Sequence, residues 1–277
     1  MTPSDEPHLP APWGRHPLPD DGPLALELGP LVVWARRREG EVRLAHAPGD
    51  WTRAGRHRPG GPTAGPEDRD WVRWPVPEAT SELGLAPVFP PRTLVIEPEV
   101  SFRLLPRGRA RIFVRVPLWA RFTVHGDEHG GEDRTLTEVP SVTLSDTWWG
   151  STTEGELCYW LATTARRRVE PDVFEPHAAV CPLELANRSD DELPVERIAL
   201  RVAHLSLFSE EGRLWADVTR VRYRGADEGS AIEVSGEPPR EAPDARRVSG
   251  PREAPPARGF HGLTFARLKS LSGLAGL

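Results

Sequence analysis

Apolar and polar side chains alternate along several short segments of the 277-residue chain. The clearest alternation lies at residues 24–28, 100–104, 112–116, 157–161 and 198–202. A period of two indicates β-strands that bury one face, and clusters of Gly, Pro, Asn and Asp between these segments indicate turns. The pattern therefore predicts an all-β protein built from antiparallel β-sandwich units.

The second half of the chain allows a more specific prediction. The turn cluster Asn187-Arg188-Ser189-Asp190 separates two aliphatic segments, which is typical of an immunoglobulin-like sandwich. Near the C-terminus the apolar side chains instead recur at intervals of three, which indicates a short helix. These side chains are Phe265, Leu268, Leu271 and Leu274.

Composition divides the chain into five segments. They are a flexible arm (1–20), an N-terminal β domain (21–135), a C-terminal β-sandwich domain (136–234), a Pro-rich linker (235–259) and the C-terminal helix (260–277). The boundary between the two β domains follows from the polar, glycine-rich loop that precedes it. One large double-sheet body that crosses this boundary is the alternative.

Charge and hydropathy exclude several classes of protein. The chain carries 35 Lys and Arg against 41 Asp and Glu, and this net charge of −6 disfavours a nucleic-acid binder. Because no apolar run reaches about 18 residues, we expect no membrane insertion. The N-terminal residues show no basic-then-apolar export signal, so we expect a cytoplasmic protein.

The basic residues are almost all arginine, since Lys269 is the only lysine. Codon drift in a GC-rich genome explains such a bias without any function. Alternatively, the guanidinium groups bind phosphates or carboxylates in a bidentate manner. In that case the runs Arg36-Arg37-Arg38 and Arg166-Arg167-Arg168 are the places to look.

Residues that could perform catalysis or bind metal are sparse. Cys158 and Cys181 both lie in predicted strands, so we expect buried, reduced thiols and neither a disulfide nor a metal site. No nucleophile elbow, phosphate loop or dinucleotide motif is present. We therefore predict no catalytic residues and no cofactor.

One aromatic cluster stands out. Trp148, Trp149, Tyr159 and Trp160 lie within thirteen residues, interleaved with carboxylates that include Asp146 and Glu156. Because Trp148 and Trp149 are adjacent, a strand would direct them to opposite faces. Three interpretations are open, namely core packing, a ligand platform of stacked indoles and carboxylates, and a contact surface for a protein partner.

Several runs of sequence resemble a known prokaryotic family. They are Leu144-Ser145-Asp146-Thr147-Trp148-Trp149-Gly150, Gly155-Glu156-Leu157-Cys158-Tyr159-Trp160, Ala179-Val180-Cys181-Pro182-Leu183, Val195-Glu196-Arg197-Ile198, Arg213-Leu214-Trp215 and Tyr223-Arg224-Gly225. Together they resemble domain-of-unknown-function family 432, most clearly over residues 93–235. The resemblance implies a cytoplasmic prokaryotic protein and an association with genes for small-conductance mechanosensitive channels, and it brings no catalytic residues.

These observations predict a non-enzymatic binding or regulatory module. Its partner is an unidentified protein, with a membrane channel as the candidate that the resemblance implies, or a small ligand. The candidate site comprises Asp146, Trp148, Trp149, Glu156, Tyr159 and Trp160. The alternative is a carbohydrate-active enzyme or sugar-binding protein, which would require polar groups that converge in one pocket.

Overall fold

The computed structural model describes residues 7–19, 22–48, 70–125, 133–163, 165–225, 229–255, 260–262 and 264–266. In these ranges the backbone forms strands, together with two short 3₁₀ helices at Pro171–Val173 and Val202–His204. The all-β prediction is confirmed. No helix in the described ranges is long and apolar enough to cross a membrane.

The strands are short and follow one another closely along the chain. The first eleven are β1 (Gly14–Pro17), β2 (Leu24–Leu28), β3 (Leu31–Arg38), β4 (Glu41–Pro48), β5 (Val72–Pro75), β6 (Glu82–Val88), β7 (Leu94–Pro98), β8 (Phe102–Leu104), β9 (Arg109–Pro117), β10 (Trp119–Val124) and β11 (Arg134–Pro140). The rest are β12 (Ser145–Gly150), β13 (Gly155–Thr163), β14 (Ala178–Asn187), β15 (Leu193–Val195), β16 (Arg197–Leu200), β17 (Leu207–Glu210), β18 (Arg213–Ala216), β19 (Thr219–Gly225), β20 (Gly229–Val234), β21 (Arg246–Ser249), β22 (Phe260–Gly262) and β23 (Phe265–Ala266).

These strands pair into several sheets. Two four-stranded sheets have the orders β1-β6-β10-β11 and β2-β3-β4-β5, and β15 pairs with β8. A five-stranded sheet has the order β12-β13-β7-β16-β23. The largest sheet has the order β21-β17-β18-β14-β19-β20-β22, with β9 also paired to β14. Most pairs are antiparallel, as predicted, but β13 is parallel to β7, and β14 is parallel to β18 and β19.

Strands from both sides of residue 135 share the two larger sheets. β7 pairs with β13, and β9 pairs with β14 along nine residues. The main cluster of buried apolar side chains also draws on both sides, with Leu26 and Phe122 from the first part and Leu183 and Ile198 from the second. The parts of the chain before and after residue 135 therefore share two sheets and one buried apolar cluster.

The helix predicted for residues 260–277 is wrong where the structure describes that segment. Phe260–Gly262 and Phe265–Ala266 are strands, and β23 pairs with β16 through Ile198 and Phe265. The Phe265 ring is 8% exposed and meets the Tyr223 ring edge-on at 5.9 Å. A sheet edge therefore buries Phe265, and the remaining leucines of the predicted stripe lie outside the described residues.

The predicted linker also departs from expectation between residues 235 and 255. Within it, Arg246–Ser249 forms β21 and pairs with β17. Ala242 and Ala245 are buried in a small cluster with Trp215. Composition alone suggested a free linker because large aliphatic residues are scarce, but alanine side chains are small enough to pack closely against an indole ring.

The predicted N-terminal arm is likewise attached over its described part. Residues 14–17 form β1 and pair with β6. The Trp13 side chain is 6% exposed, and its Nε1 donates a hydrogen bond to the Pro176 carbonyl oxygen at 2.6 Å. The buried Trp13 side chain and its hydrogen bond thus attach this proline-rich N-terminal segment to the rest of the protein.

Candidate functional site

The predicted aromatic cluster lies on the antiparallel pair β12–β13, which we call the aromatic hairpin. β12 is the edge strand of the five-stranded sheet. The turn requires glycine, since Gly150 has φ +114° and a Cβ atom there would lie 2.7 Å from the Glu154 carbonyl oxygen. The register places Trp148 opposite Leu157 and Trp149 opposite Glu156.

Trp148 and Trp149 point to opposite faces, as their adjacency predicts. The Trp149 side chain is 4% exposed and packs in a small buried cluster with Val95, Cys158 and Ala199. The Trp148 side chain is 44% exposed. Core packing therefore accounts for Trp149, whereas Trp148 is available for contact.

A shallow cavity of about 350 Å³ lies on the Trp149 face of the aromatic hairpin and is also lined by Gly150, Glu154, Gly155, Glu156 and Arg201. Within it the Glu156 carboxylate accepts hydrogen bonds from Arg201 Nη1 at 2.9 Å and from Thr93 Oγ1 at 3.2 Å. The acid is therefore already paired. Of the two carboxylates and one guanidinium that line this cavity, Glu156 and Arg201 form an ion pair.

Trp148 is fixed in place on the opposite face. Its Nε1 donates a hydrogen bond to the Ser151 carbonyl oxygen at 2.8 Å. The indole lies directly over Gly155, where a Cβ atom would overlap it. The cross-strand neighbour Leu157 is 47% exposed. Trp148 and Leu157 thus form a fixed apolar pair that faces solvent.

The other predicted site residues are divided between the two faces. Asp146 accepts a hydrogen bond from Arg92 Nη1 at 3.3 Å, and the Arg92 guanidinium also lies 5.2 Å from the centre of the Tyr159 ring. Trp160 lies on the Trp149 face, is 37% exposed and donates its Nε1 hydrogen to Glu97 at 3.2 Å.

The strand register keeps the two candidate carboxylates apart. Asp146 lies opposite Tyr159, whereas Glu156 lies opposite Trp149 on the other face of the aromatic hairpin. A glycosidase requires two carboxyl groups that flank one bond. Asp146 and Glu156 therefore do not form the convergent pair that the carbohydrate-active alternative needs.

The partners of these side chains were not predictable from local sequence. Arg92 and Thr93 immediately precede β7, and Arg201 follows β16, so they reach the aromatic hairpin only through sheet pairing. No pattern near residue 150 indicates them. In the part of the chain that the structure describes, no three His, Cys, Asp or Glu side chains come together as a metal site.

Both cysteines are free and buried, at 0% exposure for Cys158 and 1% for Cys181. Burial raises the pKa of Cys158 to about 12, and the charge of Glu156 adds to this shift. Burial also raises the pKa of Cys181. Because the thiolate is the reactive form, we expect both thiols to label slowly with a disulfide reagent in the native protein and rapidly in urea. Fast labelling of either thiol in the native state would contradict this expectation.

Comparison with known proteins gives one family. Residues 12–269 match the family described as a protein of unknown function, DUF432. Neither the curated proteins nor the solved structures provide a match. The match spans most of the chain and includes both strands of the aromatic hairpin, so this protein belongs to domain-of-unknown-function family 432.

Proposed function

We propose that the chain is a non-enzymatic binding module that contacts a protein partner through Trp148 and Leu157 of the aromatic hairpin. One observation carries the proposal. Six large apolar side chains stand out as exposed in the described residues, and Trp148 and Leu157 are two of them and lie opposite each other on one face of the hairpin. Tryptophan at the centre of a contact surface contributes strongly to binding.

The edge of the sheet adds a second means of contact. Within the described residues β12 pairs only with β13, so its other side leaves backbone donors and acceptors available. An extended segment of the partner adds to this edge by β-strand pairing and covers Trp148 and Leu157. The Trp148–Ser151 hydrogen bond holds the indole in one orientation, which lowers the entropic cost of binding.

The partner we propose is the cytoplasmic part of a small-conductance mechanosensitive channel. Support comes from the family resemblance, which implies an association with such genes in a cytoplasmic prokaryotic protein. We also propose that the second half of the chain has an immunoglobulin-like arrangement. The sugar-binding alternative is weaker, because the Trp149 ring that lines the cavity is only 4% exposed.

The test measures binding of a purified small-conductance channel to the immobilised chain. We expect Trp148→Ala with Leu157→Ala to weaken binding by about 30-fold, since loss of a central interface tryptophan costs about 2 kcal/mol or more. The same variant should unfold within about 1 kcal/mol of wild type, as ordinary surface positions do.

The matched control replaces two exposed apolar side chains on other parts of the chain. Val100→Ala with Leu105→Ala removes groups that are 79% and 63% exposed and should leave channel binding unchanged. Wild-type protein that fails to bind the channel would overturn the proposed partner. Equal capture of the same proteins from a native extract by wild type and the Trp148 variant would overturn the proposed surface.

A further inference from the structure

A second charged surface lies on the largest sheet, independently of the aromatic hairpin. Six arginines line a groove of about 490 Å³ that crosses β9, β14 and β19. They are Arg109, Arg111, Arg188, Arg220, Arg222 and Arg240. We call this surface the arginine groove. The runs singled out in the sequence have other roles, since Arg36 stacks on Trp71 and Arg166 pairs with Asp172.

Strand register arranges four of these arginines in two rows. In the first row Glu184 of β14 lies between Arg111 and Arg220. In the second row Ala186 lies between Arg109 and Arg222. Because neighbouring strands are about 4.8 Å apart, the two arginines of the second row flank a gap of about 10 Å whose floor is a methyl group.

Nearby carboxylates neutralise only part of the positive charge of the arginine groove. Arg111 pairs with Glu184 and Glu241, and its side chain is only 13% exposed. Its charge is therefore used within the protein and is not available to a ligand. Arg220 pairs with Glu184 at 3.1 Å.

The second row leaves more of its charge available to a ligand. Arg222 pairs with Glu233 but keeps 40% of its side chain exposed. Within the described residues, Arg109 and Arg188 are exposed and have no carboxylate partner. The groove therefore presents an excess of guanidinium groups over carboxylates.

We infer that the arginine groove binds a small organic polyphosphate. Planar guanidinium groups recognise phosphate oxygens in a bidentate manner, and two or more of them match a ligand with two or more phosphates. Between Arg109 and Arg222 the floor is the Ala186 methyl group, which is apolar and suits the organic part of such a ligand. The volume lies within the range of small-molecule sites.

The test titrates the full chain at physiological salt with ATP and pyrophosphate as probes, and with citrate as a polyanion that lacks phosphate. Isothermal calorimetry should show saturable binding of ATP and pyrophosphate, and citrate should bind about tenfold more weakly or not at all. The variant Arg109→Ser with Arg188→Ser should weaken ATP binding by about tenfold or more, because it removes the two unpaired guanidinium groups.

Two further variants make the result specific. Arg167→Ser with Arg168→Ser removes the same charge from two exposed arginines elsewhere and should leave ATP affinity unchanged. Ala186→Glu places a carboxylate on the floor of the groove and should abolish binding of both probes. The inference is overturned if wild type binds neither ATP nor pyrophosphate at about 1 mM, if citrate or heparin binds as tightly as ATP, or if both double variants lose binding equally.

Discussion

The free energy of unfolding of the wild-type protein should fall as pH rises from about 4 to about 7, and Asp217→Asn should abolish this fall. The Asp217 side chain is 1% exposed, and its oxygens accept hydrogen bonds from the backbone N–H groups of Ser206 at 3.3 Å and Gly236 at 3.1 Å. Burial outweighs these bonds and raises the pKa from 3.8 to about 7.

The sign follows from proton linkage. Between these two pKa values the folded protein retains a proton on Asp217 that the unfolded chain has lost, so the free energy of unfolding falls with rising pH. The stabilisation is fully present below pH 3.8 and is lost as pH rises through about 7. At about 1.4 kcal/mol per pH unit, the change across the window is of the order of 4 kcal/mol.

The measurement compares urea unfolding of wild type and Asp217→Asn at several pH values from 4 to 8. Asp217→Asn also changes the free energy of unfolding by an amount that does not depend on pH, because the amide NH₂ group replaces one of the two acceptor oxygens. Other acids contribute equally to both proteins and cancel in the difference, including Glu138, whose arginine partners lower its pKa. A difference in unfolding free energy that is the same at every pH would refute the assignment. Asp244→Asn, at an exposed acid, should retain the wild-type pH dependence.

Each segment of period-two alternation contains a strand, but the alternation could not predict which strands pair. The segment 24–28 coincides with β2, and 157–161 lies within β13. At 100–104 only Phe102–Leu104 forms a strand, and Val100 is 79% exposed. Alternation reports which face of a strand is buried, whereas pairing depends on contacts between distant segments. The parallel pairing of β14 with β19 therefore had no local signal.

The same distinction applies to the candidate site. Adjacency alone predicted that Trp148 and Trp149 would diverge, and this is confirmed. Which of the two is buried depends on Val95 and Ala199, which come from β7 and β16. The cavity beside the aromatic hairpin lies on the Trp149 face, whereas Trp148 is the tryptophan that is exposed. The arginine groove was missed for a related reason, since its arginines are separated along the chain and meet only through the register of β9, β14 and β19.

Asn187→Ala should cost about 3–5 kcal/mol of unfolding free energy, although it removes only a small polar side chain. Asn187 is fully buried at the end of β14. Its Nδ2 donates hydrogen bonds to the carbonyl oxygens of Leu104, Leu105 and Asp191 at 2.7–3.1 Å. Its Oδ1 accepts from the backbone N–H of Ser189 at 3.1 Å and from the Ser189 hydroxyl at 2.7 Å. Alanine leaves several of these groups unpaired, at about 1–3 kcal/mol for each one that stays buried.

Chemical denaturation of three variants tests this role. Ser189→Ala removes one side-chain partner and should cost only about 1 kcal/mol. Asn187→Asp keeps the shape but replaces the NH₂ donor with an acceptor facing three carbonyl oxygens, so it should destabilise at least as much as Asn187→Ala. If the free energy of unfolding of Asn187→Ala lies within about 1 kcal/mol of wild type, the prediction is wrong. Water then hydrogen-bonds the groups that lose Asn187 as their partner.

The location of Asn187 predicts where the damage appears first. Its side chain joins the end of β8 to the turn before β15, and its backbone N–H bonds to the Gly108 carbonyl oxygen. Hydrogen exchange should therefore accelerate in the β8–β15 pair before the largest sheet responds. Because Arg188 and Arg109 directly follow Asn187 and Gly108, the variant should also weaken the proposed ATP binding at the arginine groove, while the proposed channel binding at the aromatic hairpin stays intact. Loss of both activities together would instead indicate global unfolding.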